Sequence, residues 1–275
     1  MAAPDMNTAT IKLSSPATRE FWEIPVLYED AQLLALSKPP RMLTSADRDN
    51  PERPNLMKLL HQGVTEAKSW ARERGLTYLM NAHRLDFDTS GVLLLAKTKP
   101  ILIAVANLFG VETPQTTYVA VAQGVPAQAT WTSNAPIAPV AGKPGLMRVS
   151  SQNGKACRTK FKILKKFAGW SLIECQPLPG RTHQIRLHLQ HSGFPIAGDA
   201  LYGGRPLLLS ELKPSYRLKP GHTERPLLGT TALHAEKLSL PHPVTQETLT
   251  LTAPWPKDLT VALKYLQLYA GGTGA

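Results

Sequence analysis

The chain has 275 residues, enough for one sizeable core or two small domains. Hydrophobic residues make up 43% of it, which excludes a disordered chain, and no apolar run approaches the ~18 residues that a membrane-spanning helix needs. The formal net charge is +11, so the expected partner is a polyanion, with nucleic acid first among candidates.

In chain order, "MAAPDMNTATIKLSS" lacks the apolar centre of a secretory signal. It carries Asp5 and no arginine before Arg19, which disfavours a transit peptide. Residues 1–20 are expected to be a flexible tail, and the setting to be cytoplasmic. "IPVLYED" and "QLLALSKPP" predict two short strands across a turn at Glu29 to Ala31. Leu56, Leu59, Leu60, Val64 and Ala67 recur at helical spacing, with Gly75 as a stop. "GVLLLAK" predicts a buried strand. Pro100 and Gly110 frame an amphipathic helix, and "TTYVAVAQG" alternates as a strand.

"TKFKILKKF" and "WSLIECQPL" predict two strands joined at Ala168-Gly169. In "RTHQIRLHLQHSG", Ile185, Leu187 and Leu189 alternate as in a strand. Ile185 and Leu189 also fit a helix, with Thr182 as cap and Gly193 as stop, and these end signals favour helix. Residues 203–230, rich in Pro, Gly and basic side chains, are expected to form a long surface loop. "LTLTAPWP" predicts a closing strand. Strands and helices mix without βαβ alternation, which points to an α+β fold with a mixed, largely antiparallel sheet. Cys157 and Cys175 lie 18 positions apart and form no metal-ligand pattern; structural thiols in a reducing compartment are expected.

Polar groups concentrate in three places. In "HRLDFDTSG", His83 to Gly91, an extended backbone would point Asp86 and Asp88 to one face, as a cation site or an acid–base pair. Side chains of Asp88, Thr89 and Ser90 equally suit a local turn, with Gly91 supplying its geometry, and this is the favoured reading. Asp86 is then the carboxylate without a structural task, unless it pairs with Arg84. In "PGRTHQIRLHLQHSG", Arg181 and Arg186 sit among three histidines. His183 and His188 fall on different helix faces and no HExxH pattern occurs, so phosphate contact, or a charge that holds a carboxylate ionised, is preferred to a metal. Tyr118 stands inside an otherwise apolar strand, where plain packing is the more frequent role. No phosphate-binding glycine loop, dinucleotide fingerprint or serine nucleophile elbow is present, so no nucleotide cofactor is expected.

"HRLDFDTSGVLLLAK" and "PLPGRTHQIRLHLQHSGFPIAGDALYGG" resemble the two signature blocks of the RluA-type pseudouridine synthases. "LYEDAQLLALSKPP", "TTYVAVAQG" and "LHAEKLSLPHPVTQETLTLTAPWP" are similar to that family's entry strands, tyrosine strand and closing segment. The resemblance runs over roughly residues 24 to 257. It implies the pseudouridine synthase fold, an active-site cleft across the sheet, a catalytic domain over 21–262 and a C-terminal tail over 263–275. The implied activity detaches a uridine base in ribosomal or transfer RNA, turns it, and rejoins it through carbon 5, without cofactor or required metal. By resemblance Asp86 is the catalyst, attacking the uridine or removing a sugar proton to give a glycal. Tyr118 packs on the base and helps remove the carbon 5 proton. Arg186 is the salt-bridge partner of the aspartate, and Arg84 enters the RNA stack where the base has left. His83, Arg181 and His183 are expected to contact RNA, and no metal ligand is expected.

These roles are physically consistent. An ionised aspartate in a desolvated pocket needs a cation, and a flipped nucleotide costs a few kcal/mol that a stacking guanidinium partly offsets. Three departures stand out: Arg41 where a glycine is usual, "TTY" where a lysine two places before the tyrosine is common, and the length of 203–230. Only about twenty residues precede the first predicted strand, so the catalytic domain, expected as a monomer, would recognise RNA itself. The alternatives are a non-catalytic RNA-binding protein that kept the fold, or a metal-dependent enzyme using Asp86 and Asp88.

Overall fold

Ile11 and Leu13 alternate with polar neighbours and are buried, so the segment expected to fray forms a strand instead. β1 (Thr10–Ser15) lies antiparallel on β2 (Glu20–Glu29). Each buried side chain of this size contributes about 1.5–3 kcal/mol, enough to hold a short edge strand. The computed structural model describes residues 10–47, 53–219 and 221–271. The rest of the expected N-terminal tail, residues 1–9, lies outside the described residues. Backbone contacts divide the chain into two units where one catalytic domain was expected. The first runs to Gln115 and takes in Ala235–Ala253; the second holds Thr116–His234 and the chain from Pro254.

In the first unit β2 continues antiparallel to β3 (Leu33–Lys38) across the expected turn. The predicted helix is two pieces. α1 (Leu56–Thr65) starts under the Asn55 side chain, which accepts the Lys58 N–H at 2.8 Å. Ala67 adopts φ +47°, a left-handed value that no helix interior tolerates, and α2 (Ser69–Glu73) follows, ending before Gly75. β4 (Met80–Asn81) and β3 both pair antiparallel with β5 (Ser90–Ala96), every residue of which is buried. α3 (Lys99–Gly110) is capped by the Thr98 hydroxyl, with Pro100 in its first turn as expected.

The second unit carries β6 (Gln115–Gln123), β7 (Thr130–Ser133), β8 (Ile137–Pro139), β9 (Met147–Val149), β10 (Arg158–Phe167) and β11 (Trp170–Leu178). Four of them form an antiparallel array in the order β6-β11-β10-β7, while β8 and β9 make a separate hairpin. The ambiguous histidine-rich segment is helix, α4 (Gln184–His191). A 3-10 turn (Ala200–Tyr202) and the short α5 (Leu209–Leu212) follow.

The expected surface loop 203–230 is anchored instead: Leu207, Leu212 and Leu228 are buried in the same cluster as Trp170 and Ile173. Proline, glycine and charge dominate its composition, but three leucines suffice to seat it. The chain returns to the first unit in β12 (Leu233–Pro241), paired with β5 and antiparallel to β13 (Thr248–Thr252). It closes with α6 (Lys257–Tyr269), back in the second unit. Leu266 of α6 is fully buried, so residues 263–271 are not a tail; residues 272–275 lie outside the described residues. The class is α+β with a mixed, mostly antiparallel sheet.

Candidate active site

Residues 83–89, ahead of β5, form an irregular loop, and its hydrogen bonds alternate with its exposed groups. Arg84 is exposed and Asp86 half-exposed, while Leu85 between them is buried. Thr44 Oγ1 donates to the Leu85 carbonyl at 3.0 Å and accepts the Leu85 N–H at 3.2 Å. Asn81 Nδ2 donates to the His83 carbonyl at 2.8 Å. On the other side of Asp86, the Phe87 carbonyl accepts from the Met42 N–H at 3.2 Å and from Lys38 Nζ at 3.3 Å. The Arg53 guanidinium lies 4.2 Å over the Phe87 ring. Thr89 N–H bonds the Asp86 carbonyl at 3.2 Å, so a backbone turn spans 86–89, two residues ahead of the side-chain turn expected over 88–91, and Ser90 and Gly91 already belong to β5. Gly91 closes the loop at φ +118°, and a Cβ there would overlap the Ala235 carbonyl of β12.

Lys38 is a residue that sequence reasoning missed. Its side chain is fully buried at the end of β3, and Nζ also donates to the carbonyls of Pro39 (2.8 Å) and Met42 (2.7 Å). Burial pushes its pKa down to about 7, while the charges of Asp86 and Asp88 pull it back up. A buried ammonium therefore sits in the field of both carboxylates. The only signal was a lysine in an otherwise apolar strand, ahead of two prolines. His83 departs from its expected RNA contact. Its Nε2 accepts the Leu94 N–H at 3.1 Å, its ring packs 5.3 Å from Phe109, and burial lowers its pKa to about 4. It is a neutral brace between the loop and β5.

The second unit builds its site inward. Arg186, on α4, is buried and forks onto Asp199, with Nε to Oδ2 and Nη2 to Oδ1 both at 2.7 Å. The guanidinium also lies 4.9 Å over the Tyr202 ring. Tyr202 Oη accepts the Met147 N–H at 3.2 Å and meets His183 Nδ1 at 2.7 Å. His183 occupies the helix N-cap position with φ +55° and no side-chain cap, so the expected cap Thr182 does not serve. The helix start is held instead by Gln184. Its Oε1 accepts the Arg181 N–H at 2.9 Å, and its Nε2 donates to the Arg158 carbonyl at 2.9 Å and to Thr159 Oγ1 at 3.1 Å. Asp199 and Tyr202 were missed as site residues because "GDALYGG" gives no local pattern that ties them to Arg186.

Tyr118 is half-buried in β6, opposite Cys175 of β11, and packs on the second unit's core. Arg181 is exposed at the mouth of α4. His188, the remaining buried histidine of α4, is structural. Its Nδ1 meets Thr159 Oγ1 and its Nε2 meets the Ala135 carbonyl, both at 2.8 Å. Among the described residues no group of three or more His, Cys, Asp or Glu converges as a metal site.

A sequence model of the RNA pseudouridylate synthase family matches residues 32–191. The chain is 32% identical over 242 residues to a ribosomal large subunit pseudouridine synthase C of Vibrio vulnificus, covering 88% of this chain and 69% of the relative. This chain belongs to the RNA pseudouridine synthase family. An uncharacterised RNA pseudouridine synthase of Bacillus subtilis is 32% identical over 250 residues, covering 90% of this chain and 73% of the relative. The solved structure of human RNA pseudouridylate synthase domain containing 4 shares the fold, with TM-score 0.67 and 24% identity, covering 88% of this chain and 92% of the human one. The chain is an isomerase acting on uridine in RNA, and the non-catalytic alternative is unsupported.

Proposed function

We propose that this pseudouridine synthase modifies large-subunit ribosomal RNA, with Asp86 as its catalyst. The RNA class is supported by the names of several relatives that match most of the chain, those of Vibrio vulnificus, Salmonella typhi and Escherichia coli among them. The observation that carries the catalyst is local. Asp86 presents a half-exposed carboxylate on a loop whose flanking residues, Leu85 and Phe87, are both pinned through their backbones. Such a group is accessible to a flipped base yet held in one place, as a reacting carboxylate must be.

In this reading Asp86 attacks the uridine or removes a sugar proton to give a glycal. Tyr118 packs on the base and assists loss of the carbon 5 proton, and Arg186 contributes positive charge. Arg84, exposed beside a buried anchor, stacks in the space the base leaves; Arg181 and His183 contact the RNA chain. Tritium release from large-subunit ribosomal RNA labelled at uridine carbon 5 tests the reading. Asp86→Asn is expected to lower release by about 10³-fold or more while RNA affinity and melting temperature hold. Release within tenfold of wild type would remove Asp86 from the chemistry, and release only from transfer RNA would correct the substrate.

A further inference from the structure

Between Lys155 and Lys166 the chain carries six basic residues and no acidic one. Strand alternation in β10 puts Arg158, Lys160 and Lys162 on one exposed face, while Thr159 and Phe161 point into the core. The cations repeat roughly every 7 Å along the strand, closer than the ~8 Å screening length at physiological salt, so they repel one another. Among the described residues none of the three forms an ion pair. Glu174, opposite Lys162 on β11, is instead hydrogen-bonded by Gln176 at 3.1 Å.

Lysines often guard an unpaired sheet edge. That explanation fails for this stretch, because β7 pairs with residues 159–162 on one side and β11 on the other. The neighbours across the strands are the exposed Thr132 and Gln176 beside Lys160, and the exposed Thr130 and half-buried Glu174 beside Lys162. The row also begins at the site. The Arg158 carbonyl takes the Gln184 Nε2 bond that fixes the start of α4, where Arg181 and His183 lie.

We propose that Arg158, Lys160 and Lys162 form a backbone-binding track. It holds a single-stranded segment of the substrate RNA by its phosphates and leads it to the mouth of α4. The threonines and Gln176 bond sugar hydroxyls or phosphate oxygens between the cations, so the track reads no base sequence. This rests on the RNA synthase reading and adds to it a docking surface outside the reacting residues.

The test compares two triple variants of equal charge: R158Q/K160Q/K162Q, and K99Q/K257Q/K264Q on other exposed helix positions. The probe is the labelled ribosomal RNA transcript, with affinity measured across a salt series and tritium release at saturating RNA. The track variant is expected to lose at least tenfold in affinity at low salt. Its slope of log affinity against log salt should fall by about 2, from ~0.7 per cation removed from a single strand. Its release rate at saturation should stay within about twofold of wild type. The control should show a clearly smaller change in slope. Equal slopes for the two variants would overturn the track, as would a wild-type chain that binds no RNA. A wild-type chain that binds but releases no tritium would instead count against the synthase reading, and the slopes would still judge the track. If the triple variant unfolds, K160Q and K162Q singly should each lower the slope by about 0.7.

Discussion

The two polar constellations solve opposite problems. The Asp86 loop keeps its functional groups outside and is fastened through its backbone, by Thr44, Asn81, Met42 and Lys38. The Arg186 constellation is buried and fastened side chain to side chain, through Asp199 and Tyr202. A backbone-pinned loop can exchange its exposed side chains at little cost in stability. A buried ion pair cannot lose one member, because the survivor is left charged in a poor solvent.

The sharpest way to break this contrast is Asp199→Ala. Asp199 is 1% exposed, and its removal breaks both 2.7 Å bonds of its buried fork with the Arg186 guanidinium. A loss of about 3–5 kcal/mol in urea unfolding is expected, against less than about 0.5 kcal/mol for Arg84→Ala in the exposed loop. The double variant Arg186→Met with Asp199→Leu should recover most of the lost stability and remain inactive, separating the cost of the broken ion pair from the chemistry. Equal losses for Asp199→Ala and Arg84→Ala would erase the distinction.

A smaller effect is expected at Lys38, where the loop itself depends on one buried cation. Lys38→Met keeps the bulk but leaves three carbonyls short of a donor, for a loss of about 2 kcal/mol at pH 6. The folded pKa is lowered, to about 7 from the ordinary 10.5. Between those values the unfolded chain holds a proton that the folded one has released, so wild-type stability rises with pH through that window. The gap between wild type and variant should therefore widen from pH 7 towards pH 10. A gap that is constant with pH would show that Lys38 stays charged throughout.

How far sequence carried the reading follows from the range of each interaction. Strands and helices set by local periodicity, such as β5, β11 and α3, were legible, whereas the turn expected over 88–91 lies at 86–89, because Ser90 and Gly91 are drawn into β5. What failed was non-local. β1 is a strand because β2 is there to pair with it, and the leucines of 203–230 are buried because a core stands beneath them. Lys38, Asp199 and Tyr202 escaped for the same reason. Asp199 lies 13 residues from Arg186 and Lys38 lies 49 from Phe87, separations that no local pattern encodes. The family resemblance gave Asp86, Tyr118 and Arg186 as expected site residues, with Arg186 as partner of the aspartate, but gave no sign of the Asp199 fork or of the Lys38 ammonium.

His83 provides the gentlest test, because it belongs to the exposed loop yet behaves like a member of the buried set. Its Nε2 must remain unprotonated to accept the Leu94 N–H, and burial holds its pKa near 4, below the ordinary 6.5. As pH falls from about 6.5 to about 4 the unfolded state takes up a proton that the folded state refuses, so stability drops across that range. Because the ring is only half-buried, a drop of about 1 kcal/mol is expected. His83→Gln retains an acceptor for the Leu94 N–H and removes the titration, so its urea midpoint should fall less than that of wild type over the same interval. An identical fall in both would mean that His83 takes up its proton in the folded chain, and that the imidazole faces solvent as an RNA contact would require.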